Sequence, residues 1–258
     1  MKTLNLFTAL LIILACFGCE SSDIKFTYSD SYSDVSSGNV GVGGSMARFT
    51  IVGNYLYTVD GRTLKTFDIS SKNATVLKSD WQLEWNGGIE TIFPYNNMLF
   101  LGTTTGMHII DVSNPENPKY KSHYEHIVSC DPVVVQGNYA YVTLHSSDNG
   151  CWRGVNELQI IDISDITNPK EIKSIPMNSP RGLGIDGNKL FVCDNGLKVY
   201  TLNSPTEPVQ INHFSNLKNT YDVIPINGLL MLIGEDGLHQ YAYENNSISK
   251  ISSITVKQ

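Results

Sequence analysis

Charge is scarce in this chain: Asp, Glu, Lys and Arg make up 17% of it, and 25 acidic against 18 basic residues leave a net charge of −7. No cluster of Lys or Arg offsets that balance, which argues against nucleic acid or an anionic lipid surface as partner. Metal-ligand spacing is missing too. The one Cys-x-x-Cys is Cys16 with Cys19, near the start, and no His-x-x-x-His occurs among six scattered histidines. No metal or other cofactor is therefore expected. Neither a Gly-rich phosphate loop nor a Gly-x-Ser-x-Gly elbow is present, so no catalytic residue can be named. Helical periodicity is absent as well, because every long apolar stretch is interrupted by Gly, Pro or β-branched residues. The apolar run Leu4 to Ala15 falls short of the roughly 20 residues that a membrane-spanning helix needs, and no later segment is apolar enough.

What is present begins with an address. Met1-Lys2, the apolar run and an abrupt polar switch at Glu20-Ser21-Ser22-Asp23 have the layout of a secretory signal. The run ends in two cysteines, each behind a small residue (Ala15 before Cys16, Gly18 before Cys19). Residues 1–19 thus resemble a bacterial lipoprotein signal. The resemblance implies lipidation at Cys19, which sits at the polar switch, or at Cys16, whose aliphatic neighbours fit better. It also implies a membrane partner held through acyl chains and a place in the bacterial cell envelope, at the outer membrane, on its periplasmic side or at the cell surface. Ordinary signal cleavage would leave both cysteines incidental. Residues 20–45, rich in Ser, Asp and Gly, read as a flexible tether, with Ile24 to Tyr28 as an alternative short edge strand.

Residues 46–258 repeat. Five short runs, Gly53-Asn54-Tyr55-Leu56-Tyr57, Asn96 to Phe100, Gly137 to Tyr141, Gly187 to Phe191 and Asn227 to Met231, start 43, 41, 50 and 40 residues apart. About ten residues after each comes a second apolar run, and three of these carry an aspartate in the same place, Asp68, Asp111 and Asp162. Turns such as Ser113-Asn114-Pro115-Glu116-Asn117-Pro118 follow, where proline cannot continue a ladder. Each unit reads as a four-stranded antiparallel blade, and five of them predict an all-β fold, a five-bladed β-propeller. Leu64-Lys65-Thr66-Phe67-Asp68-Ile69-Ser70 and Leu158-Gln159-Ile160-Ile161-Asp162-Ile163-Ser164 resemble the LVIVD repeat of bacterial surface and periplasmic propellers. The resemblance implies an exported propeller and brings no catalytic residues with it.

In a propeller the first strand of each blade lines the central channel. Counting back six residues from each Gly/Asn turn gives Ala47, Glu90, Asp131, Arg181 and Tyr221 at one mouth, with Arg48 and Asp222 next to them. Two readings stay open: a polar pocket for a small ligand, or charges that pair with one another. The third unit is longer, and the excess, His145 to Asn156, contains His145, Cys151, Trp152 and Arg153; Trp81 and Trp85 are expected in the first interblade loop, on the same face. Such side chains are favoured anchors for a protein or carbohydrate partner, though they can equally tuck in as local core. Cys130 and Cys151 are placed to form a disulfide in an oxidising compartment, leaving Cys193 as a buried hydrophobe. The expected function is a non-catalytic binding or scaffold module, with a glycan-active enzyme using Glu90, Asp131 and Asp222 as the alternative.

Overall fold

A computed structural model describes residues 43–85, 87–126, 132–146, 155–217 and 219–256, all within one compact unit. The described chain is entirely strand, turn and loop, and no helix among the described residues is long and apolar enough to cross a membrane. It forms five four-stranded antiparallel sheets arranged as a β-propeller, each sheet a consecutive run of the chain. Blade 1 holds β1 (Phe49–Val52), β2 (Tyr55–Asp60), β3 (Thr63–Ser71) and β4 (Ala74–Gln82). Blade 2 holds β5 (Ile89–Tyr95), β6 (Met98–Thr103), β7 (Gly106–Asp111) and β8 (Lys119–Glu125). Blade 3 holds β9 (Val133–Gln136), β10 (Tyr139–Leu144), β11 (Glu157–Asp162) and β12 (Lys170–Pro176). Blade 4 holds β13 (Pro180–Asp186), β14 (Lys189–Asp194), β15 (Leu197–Thr201) and β16 (Val209–Phe214). Blade 5 holds β17 (Thr220–Ile226), β18 (Leu229–Gly234), β19 (Gly237–Glu244) and β20 (Ser247–Thr255).

The repeated sequence features each have a local cause. The turn between first and second strands needs a residue with positive φ, and Gly53, Asn96, Gly137, Gly187 and Asn227 supply it at 48–60°. The repeated aspartates build Asx turns: Asp68, Asp111 and Asp162 accept a hydrogen bond from the amide two residues on, at 2.9, 2.8 and 2.8 Å. Those bonds, from Ser113 first and Lys121 after it, hold the Asp111 carboxyl down to about 2. The third and fourth strands slip by one residue at the same point in all five blades, for example between Ile109 and Ile110. Such a bulge bends the outer strand and strengthens its twist.

Four clusters of buried apolar side chains fill the spaces between blades 1 and 2, 2 and 3, 3 and 4, and 4 and 5. Cys193, reduced and 1% exposed, belongs to the last of these, and burial pushes its thiol far up. Where blade 5 meets blade 1, the closing contacts at the centre are polar. Ser45 donates from Oγ to Asp222 Oδ1 at 2.9 Å, and the Met46 amide donates to Oδ2 at 3.2 Å. The Ser45 oxygen in turn accepts from the Leu183 amide of blade 4 at 2.8 Å. Gly44 and Gly182 press so close to this knot that a Cβ on either would stand 2.0 or 2.1 Å from a carboxylate oxygen of Asp222.

Candidate binding face

Interblade loops and the hairpins between second and third strands share one face of the disc. At its centre, first-strand residues leave the ladder where the pairing slips: Glu90 in β5, Arg181 in β13 and Tyr221 in β17 lie at equivalent bulges. Arg181 lies over the Tyr221 ring, 4.8 Å from its centroid, a cation–π contact. Arg48 is exposed and donates to the main-chain oxygens of Glu90 and Ile89 at 3.3 and 3.4 Å. His145, half-buried, is held below the ordinary imidazole range by burial and then by Arg181. Beside them a polar cavity of about 120 Å³ is lined by Ser179, Arg181, Asn195, Gly196, Asn219 and Thr220.

Asp222 is not at the rim. It is 4% exposed, its oxygens are taken by Ser45, Met46 and its own neighbour Val223, and burial raises its carboxyl to about 6 against those bonds. The β17 bulge between Thr220 and Asp222 turns Tyr221 to the mouth and Asp222 into the seam. A second buried carboxylate, Asp194, stands under the same mouth. It accepts from the Asn178 and Ser179 amides and from Lys198 Nζ at 2.7 Å, and Lys198 with those amides holds it low although burial opposes them.

A larger cavity, about 360 Å³, opens where the loop leaving blade 1 crosses onto the outer strands of blade 2; it is lined by Trp85, Thr105, His108, Tyr120, His123 and Glu125. The strand register explains the grouping. His108 of β7 pairs directly with His123 of β8, and Ile110, two residues on, pairs with Tyr120, so all three polar rings come to the face turned toward blade 1. Trp85 then lies on His108, ring centroids 3.7 Å apart and planes 7° from parallel, its main-chain oxygen accepting from Arg62 of blade 1 at 3.4 Å. The Tyr120 hydroxyl and His123 Nδ1 are 2.7 Å apart, and His123 Nε2 is 3.5 Å from Glu125. His108 is different: it is 7% exposed and its buried Nδ1 has no hydrogen-bond partner. Burial, helped by His123, holds its pKa down to about 4, so the ring is neutral at physiological pH.

The LVIVD repeat model matches residues 43–82, 95–126 and 129–176. These are the blades whose third strands end in the Asp68, Asp111 and Asp162 turns. This is an LVIVD-repeat propeller. No curated protein matches it by sequence. Among solved structures it is similar to a putative 6-phosphogluconolactonase from Bacteroides fragilis, with 11% identity, a TM-score of 0.60, and 81% of this chain and 69% of the other covered. A periplasmic gluconolactonase from Pseudomonas aeruginosa aligns with 12% identity and a TM-score of 0.60 over 79% of this chain and 68% of its own. A protein from Lactobacillus plantarum aligns with 15% identity and a TM-score of 0.62 over 85% and 72%. At such identities the likeness is one of fold.

In this LVIVD propeller the sequence-derived candidates disperse. Trp85 reaches the larger cavity, whereas Trp81 lies in β4 and packs, like Trp85, against the first apolar cluster. Arg181 and His145 come together at the mouth, and Asp222 leaves it for the seam. Asp131, Trp152, Arg153 and the cysteines Cys16, Cys19, Cys130 and Cys151 lie outside the described residues. Tyr120, His123 and Glu125 carried no signal in the sequence, because alternating polar residues on a fourth strand read as a solvated edge. His108 did carry one: it is the sole polar side chain between Gly106 and Asp111 in an otherwise apolar third strand.

Proposed function

We propose that this LVIVD propeller is a cell-envelope lipoprotein, anchored through Cys19 or Cys16, that binds a ligand without transforming it, in the cavity at the junction of blades 1 and 2. The observation that supports this reading is His108, an imidazole 7% exposed in a cavity wall, with its Nδ1 unpartnered. A buried polar atom left without a partner costs about 1–3 kcal/mol, so this wall is a weak place in the fold; Nδ1 itself is closed off, and a ligand would meet the exposed Tyr120 and His123 beside it. Hydrolysis of a glycan by paired acids requires two carboxyl groups about 5–9.5 Å apart across a cleft. Asp222 is taken up by the seam, and Glu125 is the sole carboxylate among the described residues lining this cavity.

The test is thermal unfolding of the full chain with and without an extract of the envelope it comes from. A rise in Tm is expected that Tyr120→Ala abolishes, with the bound component recovered chemically intact, since a ligand stabilises the state it binds. An equal rise in the variant overturns the location, and a cleaved component overturns the non-catalytic role.

A further inference from the structure

We infer that the junction cavity receives a neutral saccharide, laid with its ring face on Tyr120 and its hydroxyls toward the rim formed by Thr105, His123 and Glu125. This rests on the binding reading above and names the class of ligand for the same site. Its volume, about 360 Å³, falls within the range of roughly 300–1,000 Å³ that small-molecule sites occupy. The cavity floor is a pavement of rings rather than a cage. Trp85 and His108 are in stacking contact, and Tyr120 leans on both at 53° and 49° with centroids 5.4 and 6.1 Å away. Rings packed against one another leave no gap between opposed faces for an enclosed cation; they offer a surface. Tyr120, 40% exposed, presents its ring to a ligand, with the His123 side chain, 46% exposed, beside it.

Charge narrows the class further. The buried imidazole in the floor stays neutral, so it gives an anion nothing to pair with, and the chain as a whole is acidic at −7. Around the floor stand a threonine hydroxyl, a tyrosine hydroxyl, an imidazole and a carboxylate, a mixed set of donors and acceptors. A saccharide matches both parts, with an apolar C–H face for the ring and a fringe of hydroxyls that each donate and accept. An apolar aromatic guest would cover the floor and strip water from the rim without replacing its hydrogen bonds.

The experiment presents the full chain, in a detergent without a sugar headgroup, to an array of neutral and acidic oligosaccharides, and follows the strongest by calorimetry. Neutral glycans are expected to dominate. Tyr120→Ala should weaken binding by about tenfold or more and Tyr120→Phe, which keeps the ring, by less than about threefold. Binding confined to acidic glycans, no glycan bound, or an affinity unchanged in Tyr120→Ala overturns the assignment. If no glycan binds while the Tyr120-dependent rise in Tm with envelope extract persists, the saccharide is wrong and the binding site stands. If both fail, both readings fall.

Discussion

Blade 1 is entered and left through two junctions, and each buries an ionisable side chain in an opposite manner. At the entry, Asp222 accepts from a serine hydroxyl and from the Met46 and Val223 amides. At the exit, His108 has a buried nitrogen with no partner and a 360 Å³ cavity at its side. A fully satisfied buried polar group fixes structure, whereas an unsatisfied one weakens the fold and persists where something else is gained. The entry junction is therefore read as the closure of the ring and the exit junction as the site. The contrast has a topological root: no strand is exchanged between blades, and the four apolar clusters span every interface except the entry junction, the exit junction included.

The largest effect should come from removing the seam's acceptor. Asp222→Ala removes the acceptor of two buried donors, the Ser45 hydroxyl and the Val223 amide, and of the part-buried Met46 amide, and a loss of about 3 kcal/mol is expected by chemical denaturation. If this variant unfolds like the parent, the seam does not close the ring. Ser45→Ala should do less, about 1–2 kcal/mol, because it strands one acceptor position on Asp222 and the Leu183 amide. The same substitutions should leave Tyr120-dependent ligand binding in place, which sharpens the separation of the two junctions.

A pH series gives a smaller effect whose sign is fixed in advance. Burial raises the Asp222 carboxyl from 3.8 to about 6 in the folded chain, so in that window the native state keeps a proton that the unfolded chain has released. Stability contributed by this group is therefore full below the unfolded value and is lost as pH rises through about 6. His108 and His145, held low in the folded chain, act in the opposite direction over the same range, so the Asp222 part is read as a difference: between pH 7 and pH 5 the parent should lose less Tm than Asp222→Asn does. A steeper fall of Tm toward pH 5 in the parent than in Asp222→Asn would contradict the assignment.

The fold was legible in the sequence because its signals are local. Gly53, Asn96, Gly137, Gly187 and Asn227 mark hairpins through their own backbone, and Asp68, Asp111 and Asp162 mark strand ends through a bond two residues long. Register placed Glu90, Arg181 and Tyr221 at one level of the channel, which the slipped pairing reproduces. The seam was not legible, since Ser45 and Asp222 lie 177 residues apart and a counted register does not show which way a bulge turns. The junction cavity was half legible. Trp85 stood out as an aromatic in a loop, but Tyr120 and His123 acquire meaning only when the bulged β8 folds back beside His108.

The claim that the two junctions differ in kind is tested most directly by replacing His108 with phenylalanine. The substitution keeps a ring against Trp85 and removes the buried unpartnered nitrogen, so thermal unfolding of His108→Phe alone should give a Tm equal to or a few degrees above that of the parent. With envelope extract present, the variant should gain less than the parent does, because the cavity wall has lost its polar edge. A fall in Tm of more than about 5 °C without ligand, together with an undiminished gain on adding extract, would show that His108 serves the fold and not a ligand.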